Sequence, residues 1–289
     1  MSSGQSLRAA AETLAAPMPP LLAEASQLAA TVVLGDHGRR RPGQGDTFWQ
    51  YRPAMAGDGA RSIDWRRSAR SDAAFVQDKE WQIAQSVMLW VDPSASLRFA
   101  SDKRLPDKAA RARVLAMATA LLLLRGGERV GLSGQSLPPA RGSQQAARLA
   151  DLLSRDDPAE YAAPDMHGLP LQSRALFVSD FLGDIAGVEA ALTTAAGRGI
   201  RGAMLQVLDP QEEAFPFDGR TIFESIGGTL RHETLKAGDL RGRYIARLAE
   251  RKDRLAALAR AAGWQVTTHH TDRPAVTALL WLFGAMERR

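Results

Sequence analysis

The sequence predicts an α/β fold: a mostly parallel sheet with helices on both faces, preceded by an N-terminal helical and loop/strand extension. Three observations lead there. Short continuous apolar runs recur from Ser86 onward, such as Val87–Val91, Ala175–Ser179 and Ala203–Leu208. Strands buried on both faces read this way, without polar alternation. Longer stretches with apolar residues at three and four spacing lie between them and end at glycine, as helices do. Strand and helix therefore alternate, and the crossovers of such a chain favour parallel pairing.

Two short helices are expected over Ser6–Ala16 and Pro20–Ala30, divided by Pro17, Pro19 and Pro20, because a proline inside a helix removes a hydrogen bond. Gly35–Arg70 is rich in Gly, Arg and Asp and reads as loops and short strands. Residues 1–85 form the extension and 86–289 the α/β domain. In the latter, helices are expected over Lys108–Arg125, Gln144–Leu153, Val188–Ala196, Leu240–Ala262 and Pro274–Met286. Further strands are expected over Val130–Ser133 and Trp264–Thr268.

Composition narrows the chemistry. The 289 residues are 45% hydrophobic, enough for a real core. There is no cysteine, so disulfides, thiolate metal sites and cysteine nucleophiles are excluded. No secretory pattern opens the chain, and the longest apolar stretches, Val114–Leu124 and Ala275–Met286, fall short of the roughly 20 residues of a spanning helix. The reading is a cytoplasmic protein without a membrane span. The net charge of +5 is arginine-dominated. No phosphate-binding glycine loop and no Gly-x-Ser-x-Gly elbow occurs, so this chain is not expected to bind nucleotide or act as a serine hydrolase.

In a parallel α/β sheet, ligands bind beyond the carboxyl ends of the strands. Asp92, Ser94, Ser96, Asp180, Asp209 and His269 stand there. The sharpest pattern is Asp92-Pro93-Ser94-Ala95-Ser96, directly after the first buried run. Its side chains are hard oxygen donors, as magnesium and manganese prefer. Asp180, after another central strand, can add a second carboxylate. Aspartate and serine are equally ordinary in caps and turns, so capping is the competing reading.

These residues, with Val178-Ser179-Asp180, resemble the metal-ion-dependent adhesion site of von Willebrand A domains, which are Rossmann-like. Phe48, Arg52 and the block Gly57-Asp58-Gly59-Ala60-Arg61-Ser62-Ile63-Asp64-Trp65-Arg66-Arg67-Ser68-Ala69-Arg70 resemble the bacterial family called domain of unknown function 58. So do Val207–Glu212, Phe215–Gly219, Tyr244 and Thr267–Pro274. The resemblance covers roughly residues 30 to 285. It implies a von Willebrand A-like domain holding a weakly bound Mg2+ or Mn2+ on Asp92, Ser94, Ser96 and Asp180. It further implies a non-enzymatic adaptor, acting beside a MoxR-type AAA+ ATPase in assembly or maturation of other proteins. The sequence departs from the adhesion-site pattern in one ligand: Gln135–Ser143 contains no threonine, leaving Ser143 or Ser136 as substitutes. Leu97 replaces the usual methionine, and Ala54 and Met55 stand where the family has an aromatic.

The block around Trp65 has two readings. Arg61, Asp64, Trp65, Arg66 and Arg70 can form a partner-binding surface, since arginine forks onto carboxylates and tryptophan anchors interfaces. Alternatively Asp64 is a cap and Trp65 a core anchor. Arg39-Arg40-Arg41 reads as a solvated loop or a contact to phosphate or an acidic partner. His269-His270 point to opposite sides of a strand, against a shared metal. Two rivals to the adaptor stay open: a metal-dependent hydrolase using Asp92 and Asp180, and a nucleic-acid binder using Arg39–Arg41 and Arg61–Arg70, for which no recognisable nucleic-acid motif is present.

Overall fold

The computed structural model describes residues 20–32, 42–43, 47–55, 59, 63–70, 73–80, 85–225 and 231–287. The expected helix Ser6–Ala16, the Arg39–Arg41 run and Arg61 lie outside them. The chain divides into two compact units, Leu34–Ala84 and the remainder, Met1–Val33 with Gln85–Arg289.

The larger unit is built on one five-stranded sheet. Its strands are β4 (Ser86–Val91), β5 (Arg129–Leu132), β6 (Arg174–Ser179), β7 (Arg201–Leu208) and β10 (Gln265–His270), in spatial order β10-β7-β6-β4-β5. Every pairing in it is parallel. The first strand of this unit thus lies between the second and the third, and the order of construction reverses at the β4/β6 boundary. That boundary is the topological switch point, where the connections leave to opposite sides and open a crevice. Asp92 and Asp180 are the residues that follow the two strands flanking it.

Both sheet faces are covered. Met88, Trp90, Ala175, Phe177 and Met204 on one face pack with Val188 and Leu192 of α5 (Ile185–Gly197), and with Leu255 and Ala259 of α7 (Gly238–Ala261). Trp90 meets Phe177 edge-on at 5.9 Å, and Phe177 meets Trp264 at 4.7 Å. The other face carries α3 (Lys108–Arg125), with α4 (Ser143–Leu153) and α8 (Ala275–Glu287) beside it. Ala112, Leu115, Ala116, Met117, Ala118 and Leu122 are all buried, so α3 is apolar nearly all round. Such a helix belongs in an interior.

What surrounds α3 includes α1 (Pro20–Ala30), whose Ala25 and Ala29 are fully buried. The sequence places α1 in an N-terminal extension; the structure packs it into the larger unit. The small alanine side chains let it approach closely and cover a helix that needs apolar neighbours on every side. Tight packing also explains Gly202, where β7 lies against β6: a Cβ there would stand 1.9 Å from the Ala175 carbonyl oxygen.

Two features of this unit have no counterpart in the sequence reading. A short helix, α6 (Pro210–Ala214), follows β7, and an antiparallel hairpin, β8 (Thr221–Glu224) with β9 (Arg231–Thr234), precedes α7. The hairpin strands are short and mostly exposed, so they lack the apolar run that marks the main strands. Among the described residues, no helix is long and apolar enough to cross a membrane.

The smaller unit has an antiparallel sheet of β1 (Pro42–Gly43), β3 (Phe75–Glu80) and β2 (Thr47–Pro53), with one turn of helix, α2 (Trp65–Ser68). Asp64 caps α2 by accepting from the Arg67 amide at 3.1 Å, and Tyr51 donates to its other oxygen at 3.1 Å. The Arg67 guanidinium stacks over Tyr51, 4.3 Å from the ring centre.

Candidate functional site

The β4/β6 crevice is where polar side chains become buried. Asp92, Ser94, Ser96, Ser179, Asp180 and Lys108 are all less than one-tenth exposed. Burying so many polar groups is tolerable only when each finds a partner, and the partners define the site.

Asp92 leaves β4 with its backbone still paired, donating to the Val178 carbonyl. One carboxylate oxygen accepts from the Ser94 amide at 2.9 Å and the other from the Ser179 hydroxyl at 2.6 Å. The amide bond back to Asp92 turns the chain sharply into a single 3-10 turn, Ala95–Leu97. That turn brings the Ser94 and Ser96 hydroxyl oxygens to 3.1 Å from each other. The loop is held from outside, since the Ala95 and Ser96 amides donate to the carbonyls of Ala159 and Glu160. Burial pushes the Asp92 carboxyl above its ordinary range; the serine hydrogen bonds pull the other way, and neighbouring Asp180 adds to the rise.

Asp180 leaves β6 in the same manner. One oxygen accepts from the Leu182 amide at 3.0 Å. The next residue, Phe181, has φ 51°, a left-handed conformation that a side chain adopts only when its surroundings hold it. Arg251 of α7 supplies the hold, donating to the Phe181 carbonyl at 2.8 Å and to that of Gly183. Gln206 donates to the Asp180 carbonyl at 2.9 Å and accepts in turn from Thr268, so a polar chain runs across three strands to fix this turn.

The other Asp180 oxygen faces an ammonium. Lys108 Nζ is 2.8 Å from Asp180 and 2.6 Å from Glu212, and its side chain is 1% exposed. Burial would lower the lysine pKa, but the two carboxylates outweigh it and hold the group above its ordinary range. Burial raises Glu212 and Lys108 partly offsets that rise. Lys108 is the first residue of α3, at the helix end where a positive charge is disfavoured by the macrodipole. Only specific anionic partners make that position tenable.

The sequence reading did not select Lys108 or Glu212. A local signal existed for Glu212, three residues after Asp209, but α3 also carries Arg111, Arg113 and Arg125, so its opening lysine does not stand out. Asp209 itself is a cap. It is fully buried, accepts from the Gln211 amide at 2.8 Å and from the Ser101 amide at 2.9 Å, and Glu212 reaches back to its amide.

The structure therefore brings Asp92, Ser94, Ser96 and Asp180 to one crevice and leaves other candidates elsewhere. Ser136 is exposed in a loop and Ser143 is the exposed first residue of α4. His269 is buried with Nε2 unpartnered, while His270 pairs with Glu213, so the two rings serve different surroundings. Asp64 acts as a cap. Trp65 is 63% exposed and so is not a core anchor, and Arg66 and Arg70 are exposed too.

The donor set suits a hard cation. Mg2+ takes six oxygens at about 2.0–2.1 Å in octahedral geometry, which sets neighbouring ligand oxygens about 3 Å apart. The serine pair has that spacing. Asp180 and Glu212 share one ammonium, and Asp92, within electrostatic reach of Asp180, accepts only from the Ser94 amide and the Ser179 hydroxyl. Among the described residues no three Asp, Glu, His or Cys side chains form a self-sufficient metal cage, so such an ion would depend on hydroxyls and water. A 170 Å³ cavity adjoins the crevice, lined by Ser96, Lys108, Glu160, Asp180, Glu212 and Glu224.

Comparison with known proteins gives relatives that are uncharacterized. The uncharacterized proteins Rv1480 of Mycobacterium tuberculosis and Mb1516 of Mycobacterium bovis are each 27% identical over 260 residues, covering 84% of this chain and 80% of theirs. Among solved structures, the conserved hypothetical protein BatB from Bacteroides thetaiotaomicron matches with a TM-score of 0.38, and an aerotolerance-related membrane protein from Bacteroides fragilis with 0.40. Each is 16% identical and covers 70% of this chain and 98% of its own, a likeness too distant to carry an argument. The family model for the protein of unknown function DUF58 matches residues 50–254, which take in the smaller unit's capped helix, the crevice and most of α7, and the chain belongs to that family.

Proposed function

We propose that this chain is a non-enzymatic, divalent-metal-dependent protein-binding adaptor with a von Willebrand A-like site. Asp92, Ser94, Ser96 and Asp180 would hold Mg2+ or Mn2+, and the ion would supply a Lewis-acidic position for a carboxylate of a protein partner. The observation that carries this is the 3.1 Å spacing of two buried serine hydroxyls beside two buried carboxylates at the switch point. The family resemblance suggests a MoxR-type AAA+ ATPase as the partner machinery, and the exposed Trp65, Arg66 and Arg70 as a second contact.

The geometry supports binding over turnover. Each oxygen of Asp92 and Asp180 already accepts a hydrogen bond, and both side chains are 1–2% exposed. A general base must reach the proton that it abstracts. The third carboxylate of the crevice, Glu212, is likewise engaged, by Lys108 and the Asp209 amide, which weighs against the hydrolase reading.

Calorimetric titration with Mg2+, and partner capture with and without EDTA, test the proposal. If the Kd is about 1 mM, 10 mM Mg2+ stabilises the fold by about 1.4 kcal/mol. The double variant Ser94→Ala, Ser96→Ala should lose that gain and the Mg2+-dependent capture while remaining folded. Capture that ignores EDTA, or survives the double change, refutes the adaptor site.

A further inference from the structure

A second feature near the crevice owes nothing to a metal. Phe215 ends α6 in a left-handed conformation, φ 43°, and is 5% exposed. It stacks on Phe223 of β8 at 5.6 Å and meets Tyr244 of α7 at 4.7 Å. Phe217 closes edge-on against Phe215 and Phe223, at 5.2 and 5.5 Å. The cluster does not fill the space between hairpin and helix. A 290 Å³ pocket remains, floored by Phe215, Phe223, Leu240 and Tyr244 and rimmed by His232, Arg243 and Arg247. That volume lies just below the range of about 300–1,000 Å³ usual for small-molecule sites, so it suits one large side chain.

The rim says what the side chain's neighbours should be. Neighbouring arginines have partners: Arg241 donates to the Phe215 carbonyl, Arg220 pairs with Glu233 and Arg254 with Glu189. Arg243 and Arg247 are exposed, lie one turn apart on α7, and have no hydrogen-bond or ion-pair partner among the described residues. Burial, with Glu212 and Glu213 nearby, pushes the Tyr244 hydroxyl up to about 12, so that hydroxyl stays neutral at physiological pH. An apolar, aromatic pocket beneath two exposed guanidinium groups combines the two elements that dominate interface energetics, a buried anchor and forked carboxylate recognition.

We propose that this pocket docks an extended partner segment in which one aromatic or large aliphatic side chain is flanked by aspartate or glutamate. The aromatic floor takes the anchor, and Arg243 and Arg247 take the carboxylates. The surface is separate from the proposed cation site, so the test is run in EDTA and its failure leaves that reading intact.

Fluorescence anisotropy with the full chain and three labelled synthetic peptides decides it. One carries a central Phe between acidic triplets, the second a central Ala in the same acidic frame, the third a central Phe between lysine triplets. The acidic Phe peptide is expected to bind at least about tenfold more tightly than either control. The charge reversal Arg243→Glu, Arg247→Glu should weaken it at least about tenfold, and Tyr244→Ala likewise. The arginines are exposed, so that variant keeps the question open to decision even if Tyr244→Ala fails to fold. The proposal is overturned if the Ala or lysine peptide binds as well, if charge reversal has no effect, or if none of the peptides binds. It is equally overturned if charge reversal abolishes self-association or attachment to phosphatidylserine vesicles without changing peptide affinity.

Discussion

Replacing Lys108 by methionine should be among the most damaging single changes in this chain, and the structure gives its size and its pH dependence. The ammonium is 1% exposed and lies 2.8 and 2.6 Å from two carboxylates. Methionine keeps the volume and removes the charge, leaving Asp180 and Glu212 facing each other with little solvent. Breaking a buried pair from one side costs about 3–5 kcal/mol, because a buried charge is left uncompensated. For a unit of this size that is a fall of roughly 6–20 °C in Tm. Glu212 is already above its ordinary range with the lysine present, and it rises further without it. Protonation can then neutralise it, so the loss should shrink as pH is lowered from 8 toward 5. Denaturant unfolding of wild type and variant across that range measures both. The companion Lys108→Met, Asp180→Asn, Glu212→Gln, with no charge to strand, should recover most of the stability. If the single variant loses less than about 1 kcal/mol, or an amount independent of pH, the account of Lys108 as a buried counter-ion is wrong. Added Mg2+ gives a further reading: with the ammonium gone, the cation should stabilise the variant more than the wild type.

Three other expectations follow from particular side chains. His269 is buried and held down to about 4 from 6.5, first by burial and then by Arg111. Between those values the unfolded chain binds a proton that the folded chain does not, so stability falls as pH falls, by up to about 3 kcal/mol; His269→Leu should flatten that part of the unfolding profile, and an unchanged slope would exclude His269 as its source. Gly202→Ala places a methyl 1.9 Å from a backbone oxygen, and should cost about 3 kcal/mol or more by forcing β6 and β7 apart; a melting temperature near wild type would contradict it. Ser179→Ala removes the 2.6 Å donor to Asp92, and should cost about 1–3 kcal/mol as the buried carboxylate loses a partner, as read by denaturant unfolding.

The parts of the fold that the sequence announced are those whose burial is uniform. The runs Val87–Val91, Ala175–Ser179 and Ala203–Leu208 sit in the middle of the sheet with helices on both sides, so every position but Ser179 and Gln206 is apolar and the strand shows itself. Lys108–Arg125 is equally plain, with a capping Asp107 before it and Gly126-Gly127 after it. Hairpin β8–β9 was illegible for the opposite reason: its strands are only four residues long, and their main packing, Phe223 against Phe215 and Phe217, joins residues that carry no period.

The candidate site divides in the same way. Asp92, Ser94, Ser96 and Asp180 were legible because topology fixes what lies at a strand end, and a parallel sheet allows little choice about where two such ends meet. Lys108 and Glu212 were not, because nothing local marks a lysine as buried. The residue is 72 positions from one partner and 104 from the other, and only the folded sheet brings the three together. The same long-range closure is why the crevice can be both charged and dry. Its anions come from the loops after β4 and β6 and from α6 after β7, and its cation from the first turn of α3. Weakening any of the four elements should therefore disturb the site as a whole. That coupling is measurable: if Lys108→Met and Ser179→Ala, on opposite sides of the crevice, destabilise the protein by amounts that simply add, the four elements do not share one electrostatic site; a departure of about 0.5 kcal/mol or more from additivity is expected for groups in one network.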